Sequence, residues 1–168
     1  AIHISKYYYK VNETDEQSVT VDAAATIGAT SLNGNTGLRG GAIYVAESTY
    51  SITGTQFLNN TATEESYGGG AIYSTGGTGI LQNILFDRNT SVKGGAIALH
   101  SLSQMTVTSM TATGNSAHTN TEGKLGVGGV FYVNNSTLNL LGESGSIVLG
   151  TKDAGNTAVS GAAVQAEY

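Results

Sequence analysis

Cutting a glycosidic bond, or holding Ca²⁺ beside one, takes two or three carboxylates brought onto one face, often with Arg or Lys next to them. The aspartates of this chain are Asp15, Asp22, Asp87 and Asp153, far apart in sequence. Asp87 is followed by Arg88, which reads as a local surface pair or as half of such a site. Glu64-Glu65 and Glu122 are further carboxylates that can meet only if distant loops do, and solvated loop charge is the plainer reading. His3, His100 and His118 are dispersed, whereas a metal site needs two or more to converge with Asp or Glu. Gly142-Glu143-Ser144-Gly145 lacks the spacing of a nucleophile elbow. Gly76-Gly77-Thr78-Gly79 has no following Lys or helix to make it a phosphate loop, and reads as a corner. With no cysteine there is no thiolate nucleophile, disulfide framework or Cys-ligated zinc. These residues lead us to expect no catalytic residue, no metal and no cofactor.

The rest of the composition narrows the partners. The 168 residues carry a net charge of −5 with only 11% charged residues, and seven Lys and Arg are scattered along the chain. A phosphate-binding surface needs a basic patch, so nucleic acid is not expected as a partner. No apolar run reaches the roughly 18 residues that span a bilayer, so no transmembrane segment is expected. The chain starts at Ala1 without a basic and apolar leader, and reads as a mature, soluble product.

The segments that must position any site are set by a repeat. Gly-Gly-Ala-Ile occurs at Gly40-Gly41-Ala42-Ile43, Gly69-Gly70-Ala71-Ile72 and Gly94-Gly95-Ala96-Ile97, with degenerate copies at Gly128-Gly129-Val130-Phe131 and Gly161-Ala162-Ala163-Val164. An Asn followed by Thr or Ser precedes each copy, at Asn35, Asn60, Asn89, Asn115 and Asn156. The basic unit is about 25 residues, and two copies carry insertions, at 61–68 and 116–127. A unit this short cannot bury a face alone, so copies must stack. Each contains a short alternating strand such as Ala42 to Ala46 and, after a turn, a second strand such as Tyr50 to Phe57, Gly79 to Phe86 or Met105 to Ala112. Val21 to Ile27 is Ala-rich and ambiguous between helix and strand.

These features predict an all-β, right-handed parallel β-helix of about six or seven coils. Residues 1–31 form an N-terminal strand-like segment and a first or capping coil; residues 32–168 form the repeats. Ile43, Ile72, Ile97, Phe131 and Val164 form one inward column, and Val45, Ser74, Leu99, Val133 and Ala166 a second. Tyr44, Tyr73, Ala98, Tyr132 and Gln165 lie between them and point outward. Ile52, Leu81 and Val107 align in the second strand, as do Phe57, Phe86 and Ala112. The Gly pairs permit sharp bends, and the Asn residues suit left-handed corners and coil-to-coil ladders. Asp87 then falls opposite Leu58 and Thr113, so no carboxylate ladder forms around it.

The alternation of Phe57-Leu58-Asn59-Asn60 and Phe86-Asp87-Arg88-Asn89 with Gly-Gly-Ala-Ile resembles the passenger repeats of the chlamydial polymorphic outer-membrane proteins, autotransporter-type adhesins with right-handed β-helical passengers. The resemblance covers roughly residues 32 to 166. It implies secretion, surface display, adhesion and self-assembly. The chain departs from that family in having no cysteine, and no C-terminal membrane barrel is expected within its 168 residues.

Two kinds of surface follow. Tyr44, Tyr73 and Tyr132 make an aromatic stripe suited to sugars or to a protein interface, or are simply Tyr at exposed strand positions. A Thr array of the kind used against ice is interrupted at Gln82 and Asn83. At the ends, Val164 to Tyr168 stops within a first-strand pattern, and Ile2 to Val11, with Tyr7, Tyr8 and Tyr9, is strand-like, aromatic and unlike the repeat. Uncovered ends of this kind pair with neighbours by strand addition. The expected partners are other copies of the chain, end to end, with host surfaces or glycans beside them, in an extracellular or cell-surface setting. A fragment of a longer protein and a carbohydrate-active β-helix enzyme or glycan-binding fragment are the alternatives.

Overall fold

The computed structural model describes residues 2–5, 7–10, 18–21, 23–64, 66–142 and 146–168, with 7–10 and 18–21 described in backbone only. Every regular element among them is a strand. Three parallel sheets stack turn upon turn. The first face orders Ile2–Ser5, Ile43–Ala46, Ile72–Thr75, Ile97–His100, Phe131–Asn134 and Val164–Glu167. The second face runs through Ala24–Ile27, Thr49–Thr53, Thr78–Asp87, Gln104–Thr113 and Thr137–Leu140, and its far half includes Ser31–Asn33, Gln56–Leu58 and Ile147–Leu149. The third face is short: Thr36–Gly37, Thr61–Ala62, Thr90–Ser91 and Ser116–Ala117.

Both inward columns of the first face pair in the expected register. Ile43, Ile72, Ile97 and Phe131 are fully buried, each such side chain contributing about 1.5–3 kcal/mol. On the second face Leu81 lies between Ile52 and Val107, and Phe86 between Phe57 and Ala112. The two Phe rings stack at 4.9 Å. Ser74 interrupts an apolar column, and its hydroxyl is met inside the turn by that of Ser103, which donates to it at 3.3 Å.

Two expectations change and one open reading is resolved. The chain makes about five turns, with Val164–Glu167 opening another on the first face, because insertions consume residues: successive ladder Asn residues are 25, 29, 26 and 41 apart. Ile2–Ser5 is not foreign to the repeat; Ile2 pairs with Ile43 and Ile4 with Val45, extending both inward columns. Within the ambiguous Ala-rich stretch, Ala24–Ile27 is a strand paired to the second face, while Val21 ends the strand Ser18–Val21. Among the described residues the antiparallel pair is Tyr7–Lys10 with Ser18–Val21.

The corner residues divide two tasks that the sequence placed on one. The left-handed conformation belongs to the residue before each of the first four ladder Asn residues: Gly34, Asn59, Arg88 and Gly114, at φ of 66°, 52°, 52° and 62°. The Asn side chains themselves run from turn to turn. Asn35, Asn60, Asn89 and Asn115 each donate Nδ2–H to the Oδ1 of the next at 2.9 Å. The same Oδ1 accepts the backbone N–H of the preceding Asn. Asn60, Asn89 and Asn115 are completely buried.

Candidate functional site

Strand alternation directs Tyr44, Tyr73, Ala98, Tyr132 and Gln165 away from the core, and they are in register on the outside of the first face. The expected exposure does not follow. Tyr73 is 4% and Tyr132 1% exposed, and they form a second apolar cluster with Ala98, against which Tyr44 and Val127 pack. The cover comes from the insertions. Tyr67, from the first, sets its ring edge-on to His100 at 5.2 Å, and Val127 borders the second. The two insertions meet where Lys124 Nζ donates to Ser66 Oγ at 2.6 Å.

The gap left by small Ala98 is filled from the same strand. His100 is two residues on, hence on the same side, and its ring sits 5.2 Å from Tyr73 and 5.2 Å from Tyr132. Tyr73 in turn stacks on Tyr44 at 5.6 Å with 6° between planes, and His3 meets Tyr44 edge-on at 4.9 Å. A continuous aromatic ladder, His3–Tyr44–Tyr73–His100–Tyr132, therefore follows the stacking direction. Cations flank it. Arg39 lies 5.7 Å from the Tyr73 ring and 6.0 Å from that of Tyr67, and is held by Glu64 at 2.6 Å. Lys93 Nζ lies 4.5 Å from the Tyr132 ring centre and donates to its hydroxyl at 3.0 Å. That hydroxyl donates to Glu167 Oε2 at 2.6 Å, tying the last strand to the ladder.

Burial is the main influence on the titrating groups. It pushes His100 down to about 4, with Lys93 and Arg39 adding to the effect. It raises Tyr73, and raises Tyr132 further with the help of Glu167. Tyr132→Phe removes a hydroxyl engaged at both ends by charged groups, and should lower stability by about 1.5 kcal/mol. Urea unfolding with an unchanged m-value checks this.

Because Tyr73 is sandwiched between Tyr44 and His100, its ring faces are not open to stack on a sugar. Exposed aromatic and apolar side chains lie instead at Tyr67, 44% exposed, and Leu125, 58% exposed. These border a groove of about 330 Å³ with Ser66, Lys93, Lys124, Val127 and Glu167. Tyr168 is fully exposed at the other candidate surface, the last turn. Tyr7, Tyr8 and Tyr9 lie on a described strand, but their side chains are outside the described residues.

The carboxylates do not gather around Asp87. It bonds Arg88 at 2.7 Å, accepts from Thr113 at 3.1 Å, and has Leu58 and Thr113 as strand neighbours. Glu64 is taken by Arg39 and Glu122 by Lys124 at 3.2 Å. Asp15, Asp22 and Glu65 are outside the described residues. No group of three His, Cys, Asp or Glu able to hold a metal occurs among the described residues. The residues that sequence reasoning missed are His100, Arg39, Lys93 and Glu167. Period two places His100 beside Tyr132, a usable signal; the other three are brought in by loop and end geometry.

No curated protein and no solved structure matches this chain. Residues 54–75 and 83–99 match the model of the Chlamydia polymorphic membrane protein (Chlamydia_PMP) repeat. They hold Phe57 to Asn60, Phe86 to Asn89 and two of the Gly-Gly-Ala-Ile corners, so the middle of this solenoid is similar to the polymorphic membrane protein repeat over those residues.

Proposed function

We propose that this chain is part of a surface-displayed passenger, a right-handed β-helical rod with structural and adhesive roles rather than an enzyme. The observation that carries this reading is where the repeat spends its residues. Phe57, Phe86 and the ladder residues Asn60, Asn89 and Asn115 are inside the fold, leaving the insertions and the end turns to make contacts. The match to the polymorphic membrane protein repeat over residues 54–75 and 83–99 supports the surface setting. A β-helix enzyme would need carboxylates aligned on one face, and the strand neighbours of Asp87 are Leu58 and Thr113.

Taken as a subunit by itself, the chain would join other copies through its two end turns. Val164–Glu167 pairs with Phe131–Asn134 along one edge, and beside it lies an open hollow of about 590 Å³ whose apolar lining includes Val133, Leu138, Leu140, Val164 and Ala166. The opposite end presents Ile2–Ser5, whose Ile2 and Ile4 extend the same inward columns. The first face has six strands against five levels on the second, so a joined pair leaves a one-strand step, weaker than an internal turn. Electron microscopy and sedimentation test the reading. We expect filaments or concentration-dependent growth, lost in Val164→Lys; a monodisperse protein at high concentration sinks the assembly claim. Beads coated with the protein should attach to cultured cells more than beads coated with an unrelated β-solenoid, and equal attachment sinks the adhesive one.

A further inference from the structure

His100 is 5% exposed, and its Nε2 has no hydrogen-bond partner. Three tyrosine rings box it: Tyr73 and Tyr132 from neighbouring turns and Tyr67 from the insertion. The charged groups that bear on it are Lys93, Arg39 and Glu167. Of these, Glu167 accepts from Tyr132 and lies 4.0 Å from Lys93 Nζ. A neutral imidazole fits this box at the cost of one unmet polar atom. An imidazolium has an N–H at Nε2 with no acceptor, two cations nearby and a carboxylate already engaged. Attraction to the tyrosine faces, about 0.5–2 kcal/mol, and to Glu167, with a hydrogen bond to the Asn134 side chain, opposes this, but burial and the two cations outweigh it and hold His100 in the neutral form.

Of the groups boxing the imidazole, Tyr67 is the least anchored, being 44% exposed and carried on a loop, whereas Tyr73 and Tyr132 belong to paired strands. We propose that Tyr67 is an acid-released cover: it closes the outer aromatic layer over neutral His100, and protonation of His100 displaces it and exposes Tyr73 and Tyr132 along the first face. Release in this way exposes an apolar stripe without unstacking the turns, since none of the Asn ladder or core columns is involved.

The chain has no Trp, so Tyr67→Trp supplies a single reporter. Its emission should shift to the red as pH falls, with a midpoint near 4, while far-UV circular dichroism holds its neutral-pH value. Adding His100→Phe, which keeps a ring but cannot titrate, should abolish the shift. Lys93→Gln should move the midpoint to higher pH, because a repelling cation is gone. The proposal is overturned by a shift that survives His100→Phe, by no shift down to pH 3, or by a shift that coincides with loss of the β signal. Should His100→Phe fail to fold, an unchanged midpoint in Lys93→Gln overturns it instead, and the imidazole NMR titration of the Tyr67→Trp protein must share the emission midpoint.

Discussion

Asn89→Ala is expected to destabilise the rod by about 4 kcal/mol. Asn89 Oδ1 accepts from the Asn60 backbone N–H at 3.0 Å and from Asn60 Nδ2 at 2.9 Å. Its own Nδ2 donates to Asn115 Oδ1 and to the Phe57 carbonyl, both at 2.9 Å. Alanine removes all four bonds in a place with no solvent access: two donors of Asn60 lose their acceptor, the Phe57 carbonyl loses a donor, and Asn115 Oδ1 keeps only the backbone N–H of residue 89. Each unmet buried group costs about 1–3 kcal/mol, partly offset where an acceptor keeps another donor or the turns relax. For a chain of this size, 4 kcal/mol corresponds to a melting temperature lower by about 10 °C. Asn35→Ala at the start of the ladder is the comparison. Asn35 is half-buried, and of its two donors to Asn60 Oδ1 only the side-chain one is lost, since the backbone N–H remains in alanine. Its loss should be near 1 kcal/mol. Calorimetry of the two variants decides the matter: equal losses mean that ladder position does not matter and that burial is not the source of its strength. Asn89→Asp separates shape from donors. It keeps an acceptor for Asn60 but faces the Asn115 and Phe57 oxygens with no N–H, and should fall as far as Asn89→Ala at neutral pH.

The ladder and the columns were legible in the sequence because stacking turns one-dimensional spacing into contact. A residue seven before Ala96 and a residue seven before Ala42 must occupy equivalent corners once the turns pile up, and Asn89 and Asn35 do lie on one ladder. Alternation likewise tells which side of a strand a side chain leaves. It does not tell what covers that side. Tyr73 and Tyr132 were placed on the outside correctly and on the surface incorrectly, because their cover depends on the course of two loops. Those loops are held by a few long side chains, Lys124 to Ser66 and Arg39 to Glu64, whose pairing has no periodic signature. Ala98 reads as a break in the aromatic stripe for a similar reason. The space above a small residue is filled by whatever lies nearest, and His100 fills it from one position further along the same face. The number of turns was overestimated because insertions lengthen the chain without raising the stack.

Gly70→Ala should be the more damaging of two glycine substitutions by several kcal/mol. A β-carbon on Gly70 would overlap the Gly95 carbonyl oxygen and lie 2.5 Å from the Thr90 backbone nitrogen and 3.0 Å from the Asn89 carbonyl carbon. All three are backbone atoms of the next turn, so no side chain can rotate away. The turns cannot part either, since Gly70 N–H bonds the Gly94 carbonyl at 3.0 Å and Asn60 and Asn89 are joined beside it. Strands in a sheet are about 4.8 Å apart, and a methyl group that forces this corner open breaks bonds on both sides. Overpacking costs about 1–3 kcal/mol where neighbours can yield, and this site offers none that can. We expect Gly70→Ala to melt at least 10 °C lower or to accumulate unfolded. Gly28 has nothing within 4 Å of the same added carbon and an ordinary backbone angle. There Ala restricts the unfolded chain alone, and should raise stability by about 0.5 kcal/mol. Opposite signs at the two sites would mean that the corner doublet is kept for closeness between turns. Equal losses would mean that flexibility along the chain is what these glycines supply.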